Sequence, residues 1–157
     1  MSVAAGLEIA RVDWSAFVEH DGPATRVGVA LRDLIDSVDI ESASAAWSFI
    51  EEHVFSQGTI YPVAEPTVSV LLAALTEEQP PWRSGRIVDL LFFIVNGASR
   101  SDPTLQARCR DRAREGLWLL VRCALDADGW GRDNLLEVIE VIAPERFEMV
   151  RAAIDAL

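Results

Sequence analysis

Two histidines, His20 and His53, are the only imidazoles in the chain, and acid–base or nucleophilic chemistry at neutral pH is sought first around them. A triad-like site needs a serine or cysteine beside such a base and a third group to orient it. His20 follows Glu19 at a predicted helix end, where the helix dipole alone favours a cation. His53 follows Glu51-Glu52 on the side of its helix away from Trp47 and Ile50. Neither has a serine-bearing elbow beside it. Carboxylate pairs are plentiful: Glu51-Glu52, Glu77-Glu78, Asp33 with Asp36, Asp126 with Asp128. Adjacent residues on a helix point about 100° apart, so such neighbours do not converge on one reacting atom. Asp33 and Asp36 stand at i and i+3 and could share a cation, although this spacing usually marks a solvated face. The Asp126–Asp128 stretch lacks the remaining ligands and the closing glutamate of a calcium loop.

The two cysteines, Cys109 and Cys123, have no metal-ligand neighbours. On one continuous helix they would stand about 21 Å apart, out of disulfide reach, and Cys123 reads as a buried small hydrophobe. The expectation is therefore no catalytic residue, no metal and no cofactor. A polar cleft around His20 or His53 is the feature that would reopen an enzymatic reading.

Charge narrows the partners. The net charge is −11, with 25 acids against 14 basic residues. All the basic residues are arginines, which fits a GC-rich codon bias. Residues 1–82 carry 13 acids and 3 arginines, whereas residues 83–157 carry 12 acids and 11 arginines. The one basic concentration, Arg108 to Arg114, alternates with Asp111 and Glu115 and reads as salt-bridge decoration of a helix surface. Nucleic-acid binding wants uncompensated clustered cations, so it is not expected. The most apolar run, Leu90 to Val95, falls far short of the ~20 residues of a membrane span. No signal-peptide pattern opens the chain, and a cytoplasmic protein is expected.

The elements that position these groups all read as helical, because apolar residues recur at steps of three and four and almost nowhere alternate. Residues 1–11 read as a loose segment or short helix, and Trp14 to Val18 as a turn or two. Gly22-Pro23 opens a helix over 23–38 with Val27, Ala30, Leu31, Leu34, Ile35 and Val38 inward. Asp39 caps a helix over 40–57 with Ala43, Ala46, Trp47, Ile50 and Val54 inward, and Gly58 ends it as a left-handed cap. Helices follow over 63–77 and 83–98, the latter apolar on several faces and suited to the centre of a stack. One long helix runs from Pro103 to Leu125, and Asp128 to Gly131 form a turn before helices over 132–142 and 144–156. The fold class predicted is all-α: one domain of six to eight helices stacked as antiparallel pairs. Of five tryptophans, Trp47 and Trp118 fall on core stripes, and Trp14, Trp82 and Trp130 near helix ends or turns.

The stretch from Trp47 to Leu75 carries a resemblance. Trp47, then Val54 to Tyr61 containing Gln57-Gly58-Thr59, then Ala64, Pro66 and Val70-Leu71-Leu72, resembles bacterial HEAT- or armadillo-like repeat proteins. In these a tryptophan-bearing helix leads into a His-Gln-Gly-Thr-Val-Tyr turn. Ser56 stands here where that pattern has histidine, and Val70 where it has an aromatic. The resemblance implies a short HEAT-like α-α superhelix and a non-catalytic role. Trp47, Gln57, Gly58 and Tyr61 read as the structural turn, with Gln57 bonding a free carbonyl and Tyr61 packing over the helix pair.

By elimination and by charge, the functional expectation is a protein-binding module whose acidic amino-terminal half meets a basic protein. Its most concrete form is an immunity protein that covers a cationic toxin. The candidate contacts are Asp33, Asp36, Asp39, Glu41, Glu51, Glu52 and Glu65. The alternative is a structural or homo-oligomeric scaffold whose acidity confers solubility.

Overall fold

The computed structural model describes residues 2–156, and the fold is all-α, a stack of helix hairpins. Among the described residues there are nine α-helices: α1 (Val3–Arg11), α2 (Thr25–Asp36), α3 (Ile40–Val54), α4 (Ala64–Leu75), α5 (Pro81–Asn96), α6 (Leu105–Arg114), α7 (Leu117–Asp126), α8 (Gly129–Ile142) and α9 (Pro144–Asp155). A short 3-10 turn, Trp14–Ala16, stands where a small helix was expected.

The most apolar helix is the central one. Ile87, Leu90, Leu91, Ile94 and Val95 of α5 are fully buried, and the helix packs against α3, α4, α6 and α8. Each such side chain withdrawn from water favours the fold by about 2 kcal/mol. α2 pairs with α3, α1 docks on α4, and α7 and α9 flank α8.

The ends of the elements follow local chemistry. Asp39 caps α3, its Oδ1 accepting from the backbone N–H of Ser42 at 2.8 Å. Pro81 and Pro144 each sit in the first helical turn, where no amide partner is lost. Glu77, beyond the end of α4, accepts from the amides of Val3 at 2.9 Å and Ala4 at 3.3 Å. It satisfies two otherwise free donors at the start of α1, and these bonds hold its carboxyl below the usual range.

Several expectations are corrected. No strand was expected, yet two small antiparallel hairpins occur: β1 (Val18–Glu19) with β2 (Gly22–Pro23), and β3 (Phe55–Ser56) with β4 (Thr59–Ile60). Pro23 therefore belongs to a strand, and α2 begins at Thr25. α3 stops at Val54, so Gly58 is not its cap. Gln57 and Gly58 form the two-residue turn of β3–β4, with φ of 49° and 78°. A primed turn of this kind matches the right-handed twist of a hairpin.

The predicted long helix is two, α6 and α7, parted at Glu115-Gly116. A Cβ on Gly116 would lie 2.6 Å from Leu72 Cδ2, so glycine lets α4 close against the break. Cys109 and Cys123 thus occupy different helices. Cys109 is fully buried, which pushes its thiol up to about 12, and Cys123 is half-buried. Val38, expected inward, lies past the end of α2 and is 86% exposed, and Trp118 is 58% exposed rather than in the core. Asp128 to Gly131 do not form a separate turn, because α8 starts at Gly129.

Candidate partner-binding groove

α2 and α3 form a hairpin through the link 37–39, and an open groove of about 640 Å³ runs between their outer faces. Its walls follow from helical period. Arg26, Val29, Ala30 and Asp33 line it from α2 at steps of three and four, as do Ser42, Ala45, Ala46 and Phe49 from α3. Three alanines keep the floor low, because longer side chains there would fill the space. Val29, 60% exposed, and Val38 give the groove apolar edges. At the end formed by the start of α2, the Arg26 guanidinium lies 4.7 Å from the centre of the Phe49 ring. Phe49 in turn stacks on His53 at 3.9 Å, and His53 Nδ1 lies 2.7 Å from the Phe49 carbonyl oxygen. His53 is thus engaged with its own helix.

Of the seven candidate acids, Asp33 and Asp36 line the groove. Asp39 and Glu41 belong to the end of the hairpin where Ser37 and Val38 also lie. Hydrogen bonds from the Ser42 backbone and hydroxyl hold the Asp39 carboxyl below its ordinary value and keep it ionised. Glu51 and Glu52 are exposed further along α3 and do not line the groove. Glu65 is elsewhere, bridging α4 to α6 through Arg108 Nε at 2.8 Å and Arg112 at 4.0 Å.

The turn residues take other places. Trp47 is half-buried, edge-on to Phe55 at 6.5 Å and Phe93 at 6.4 Å, with the Arg86 guanidinium 5.3 Å from its ring centre. Its Nε1 is buried without a hydrogen-bond partner among the described residues. Gln57 is exposed, and the expected bond from its side chain to a carbonyl is not among the hydrogen bonds of the described residues. Tyr61 packs against the core and meets the His20 ring edge-on at 5.4 Å.

A polar cleft beside His20 does exist, about 390 Å³ in volume. His20 Nδ1 lies 2.8 Å from Asp21 Oδ1, and no serine hydroxyl is hydrogen-bonded to the ring among the described residues. No cluster of three metal-ligating side chains occurs among the described residues, and no helix there is long and apolar enough to cross a membrane.

Sequence reasoning missed the apolar part of the groove, whose signal is the run of small residues on α3 opposite an off-stripe Val29. It also missed the meeting of the two hairpins; Gln57-Gly58 is a turn signal for one of them, whereas the other turns at His20-Asp21, with Gly22 already in its second strand. Comparison of the chain with protein-family models, with curated proteins and with solved structures finds no match.

Proposed function

We propose that this chain is a non-catalytic protein-interaction module that binds a basic protein segment in the groove between α2 and α3. In its most concrete form it is an immunity protein that neutralises a cationic toxin. The observation that supports this reading is an apolar floor bordered by Asp33 and Asp36, within a half of the chain carrying 13 acids and 3 arginines. Long basic side chains suit such a surface, because their aliphatic stems cover alanine and phenylalanine while their charged heads reach carboxylates. Like charge on α3 and in the link speeds capture of a cationic partner and disfavours acidic ones.

The test is parallel capture from the native host with the wild-type chain and with the Asp33→Arg/Glu41→Arg double variant. The expected result is a basic protein held by the wild type, bound at least tenfold more weakly by the variant, with affinity falling steeply between about 50 and about 300 mM salt. Equal retention by both baits, or affinity indifferent to salt, removes the reading.

A second reading, a structural or homo-oligomeric HEAT-like scaffold, is favoured by the exposed apolar residues Val29, Val38 and Ile40, 60%, 86% and 57% exposed, around the same hairpin. Covering them with a second copy would hide the groove. Light scattering coupled to gel filtration separates the two. A monomer at micromolar concentration supports the partner-binding form, and a stable dimer disrupted by Val38→Asp supports the scaffold.

A further inference from the structure

The cleft beside His20 lies away from the α2–α3 groove and is built from three separate pieces of chain. Hairpin β1–β2 brings His20, hairpin β3–β4 with the residue after it brings Ser56, Thr59 and Tyr61, and the segment after α5 brings Ser99 and Arg100. Backbone bonds fix these pieces to one another. Ile60 N–H donates to Ala98 O at 3.0 Å, Ala98 N–H to Gly58 O at 3.0 Å, and His20 N–H to His53 O at 3.3 Å. Val63 N–H donates to Val18 O at 3.2 Å. The walls are therefore held before any ligand arrives.

Three of the hydroxyls on these walls are unused by the fold. Among the described residues, the hydroxyls of Ser56, Thr59 and Tyr61 make no hydrogen bond. Ser99 Oγ accepts from Asp102 N–H at 3.2 Å and lies 3.5 Å from Ser101 Oγ, so with Ser101 as donor in that long contact the Ser99 proton is free to donate to a ligand. The cation stands apart within its half of the chain. Of the eleven arginines in residues 83–157, ten hold a carboxylate, a carbonyl, a hydroxyl, an amide oxygen or an aromatic ring. They include Arg83, Arg110, Arg122 and Arg132, which donate to main-chain oxygens, and Arg108 and Arg114, which pair with Glu65 and Glu145. Arg86, Arg112, Arg146 and Arg151 are engaged as well. Arg100 makes no such contact among the described residues; outside this stretch the same holds of Arg32, which lies exposed on α2 and lines neither cleft. In a chain with 25 acids, an arginine left without a carboxylate beside four hydroxyls is placed for an external anion.

We propose that this cleft binds a phosphate group, free or carried by a small molecule, with Arg100 as its counter-charge and the hydroxyls of Ser56, Thr59, Tyr61 and Ser99 as donors. A phosphate offers several oxygens in a tetrahedral array and accepts hydrogen bonds from all three walls at once, whereas a carboxylate is satisfied in one plane. The volume of about 390 Å³ exceeds that of a bare phosphate and leaves room for a small organic body against Ile60 and the Tyr61 ring. The His20 ring adds a further donor through Nε2 when it is protonated, since Nδ1 faces Asp21.

The experiment is a titration of the full chain, followed by backbone amide shifts at constant ionic strength, with inorganic phosphate, ribose 5-phosphate and ribose. Expected are saturable shifts confined to residues 18–22, 56–61 and 98–101, for both phosphates and not for ribose. Tighter binding of ribose 5-phosphate identifies a carried phosphate, and equal or tighter binding of inorganic phosphate identifies a free one. Arg100→Gln should weaken binding at least tenfold and Tyr61→Phe about threefold, as for loss of a charged and a neutral donor. Arg32→Gln removes the same charge from the exposed face of α2 and should leave binding unchanged. The proposal fails if shifts rise without saturation to about 50 mM phosphate, if they centre on α6, if ribose alone binds, or if Arg32→Gln weakens binding as much as Arg100→Gln. Neither set of outcomes touches the α2–α3 groove, which stands or falls by its own test.

Discussion

Glu19 is 8% exposed, and its Oε2 is buried without a hydrogen-bond partner among the described residues. Burying a carboxylate without compensation is costly, because the charge loses its hydration. Glu19→Gln keeps the shape and removes the charge, and we expect it to raise the stability of the fold by about 1 kcal/mol, read as a higher urea midpoint at unchanged slope. A lower midpoint would show that the carboxylate is satisfied by water. Asp102 is the opposite case. Hydrogen bonds from Thr104 and from Arg108 bring its carboxyl from 3.8 down to about 2. Because the folded value lies below the unfolded one, its contribution is present above about pH 4 and is lost as pH falls towards 2. Asp102→Asn is therefore expected to flatten acid unfolding over that interval, measured by circular dichroism, and to leave its shape above pH 5 unchanged. At this scale the sequence is only half legible. It shows that Glu65 is acidic, but its pairing with Arg108 joins residues 43 apart in the chain, and no local pattern encodes that.

The α2–α3 hairpin was legible because its apolar stripes and the Asp39 cap are written within one or two turns of chain. The two β-hairpins were not, since two-residue strands are too short to show alternation. In β3–β4, Gln57 holds φ at 49°, a left-handed conformation that costs a residue with a Cβ about 1 kcal/mol and that asparagine tolerates better. Gln57→Asn, which creates the Asn-Gly pair preferred in such turns, is expected to stabilise the protein by about 0.5 kcal/mol, seen as a small rise in thermal midpoint. The break between α6 and α7 was likewise hidden. Its cause is the approach of Leu72 to Gly116 from another helix, so Gly116→Val should cost about 2 kcal/mol through overpacking, measured by denaturant unfolding. Gly116→Val made together with Leu72→Ala should recover part of that loss, and a lack of recovery would place the strain elsewhere.

For the molecule as a whole, the all-α class and the central place of α5 follow from a helix apolar on more than one face. The groove between α2 and α3 does not follow, because it depends on how far apart two helices settle rather than on either stripe. The imbalance of charge is legible from composition, and it makes salt the natural variable for any partner. The Glu77 clasp on Val3 and Ala4 bears on something different, the order in which the molecule takes shape as it is synthesised. α1 leaves the ribosome before α4, and the carboxylate that completes its first turn and the helix it docks on are translated some seventy residues later. At about 5–20 residues per second that is a wait of roughly 4–15 s. During it α2 and α3, neighbours in the chain, can already pair. α1 is thus completed only after the α2–α3 pair that follows it in the chain can form.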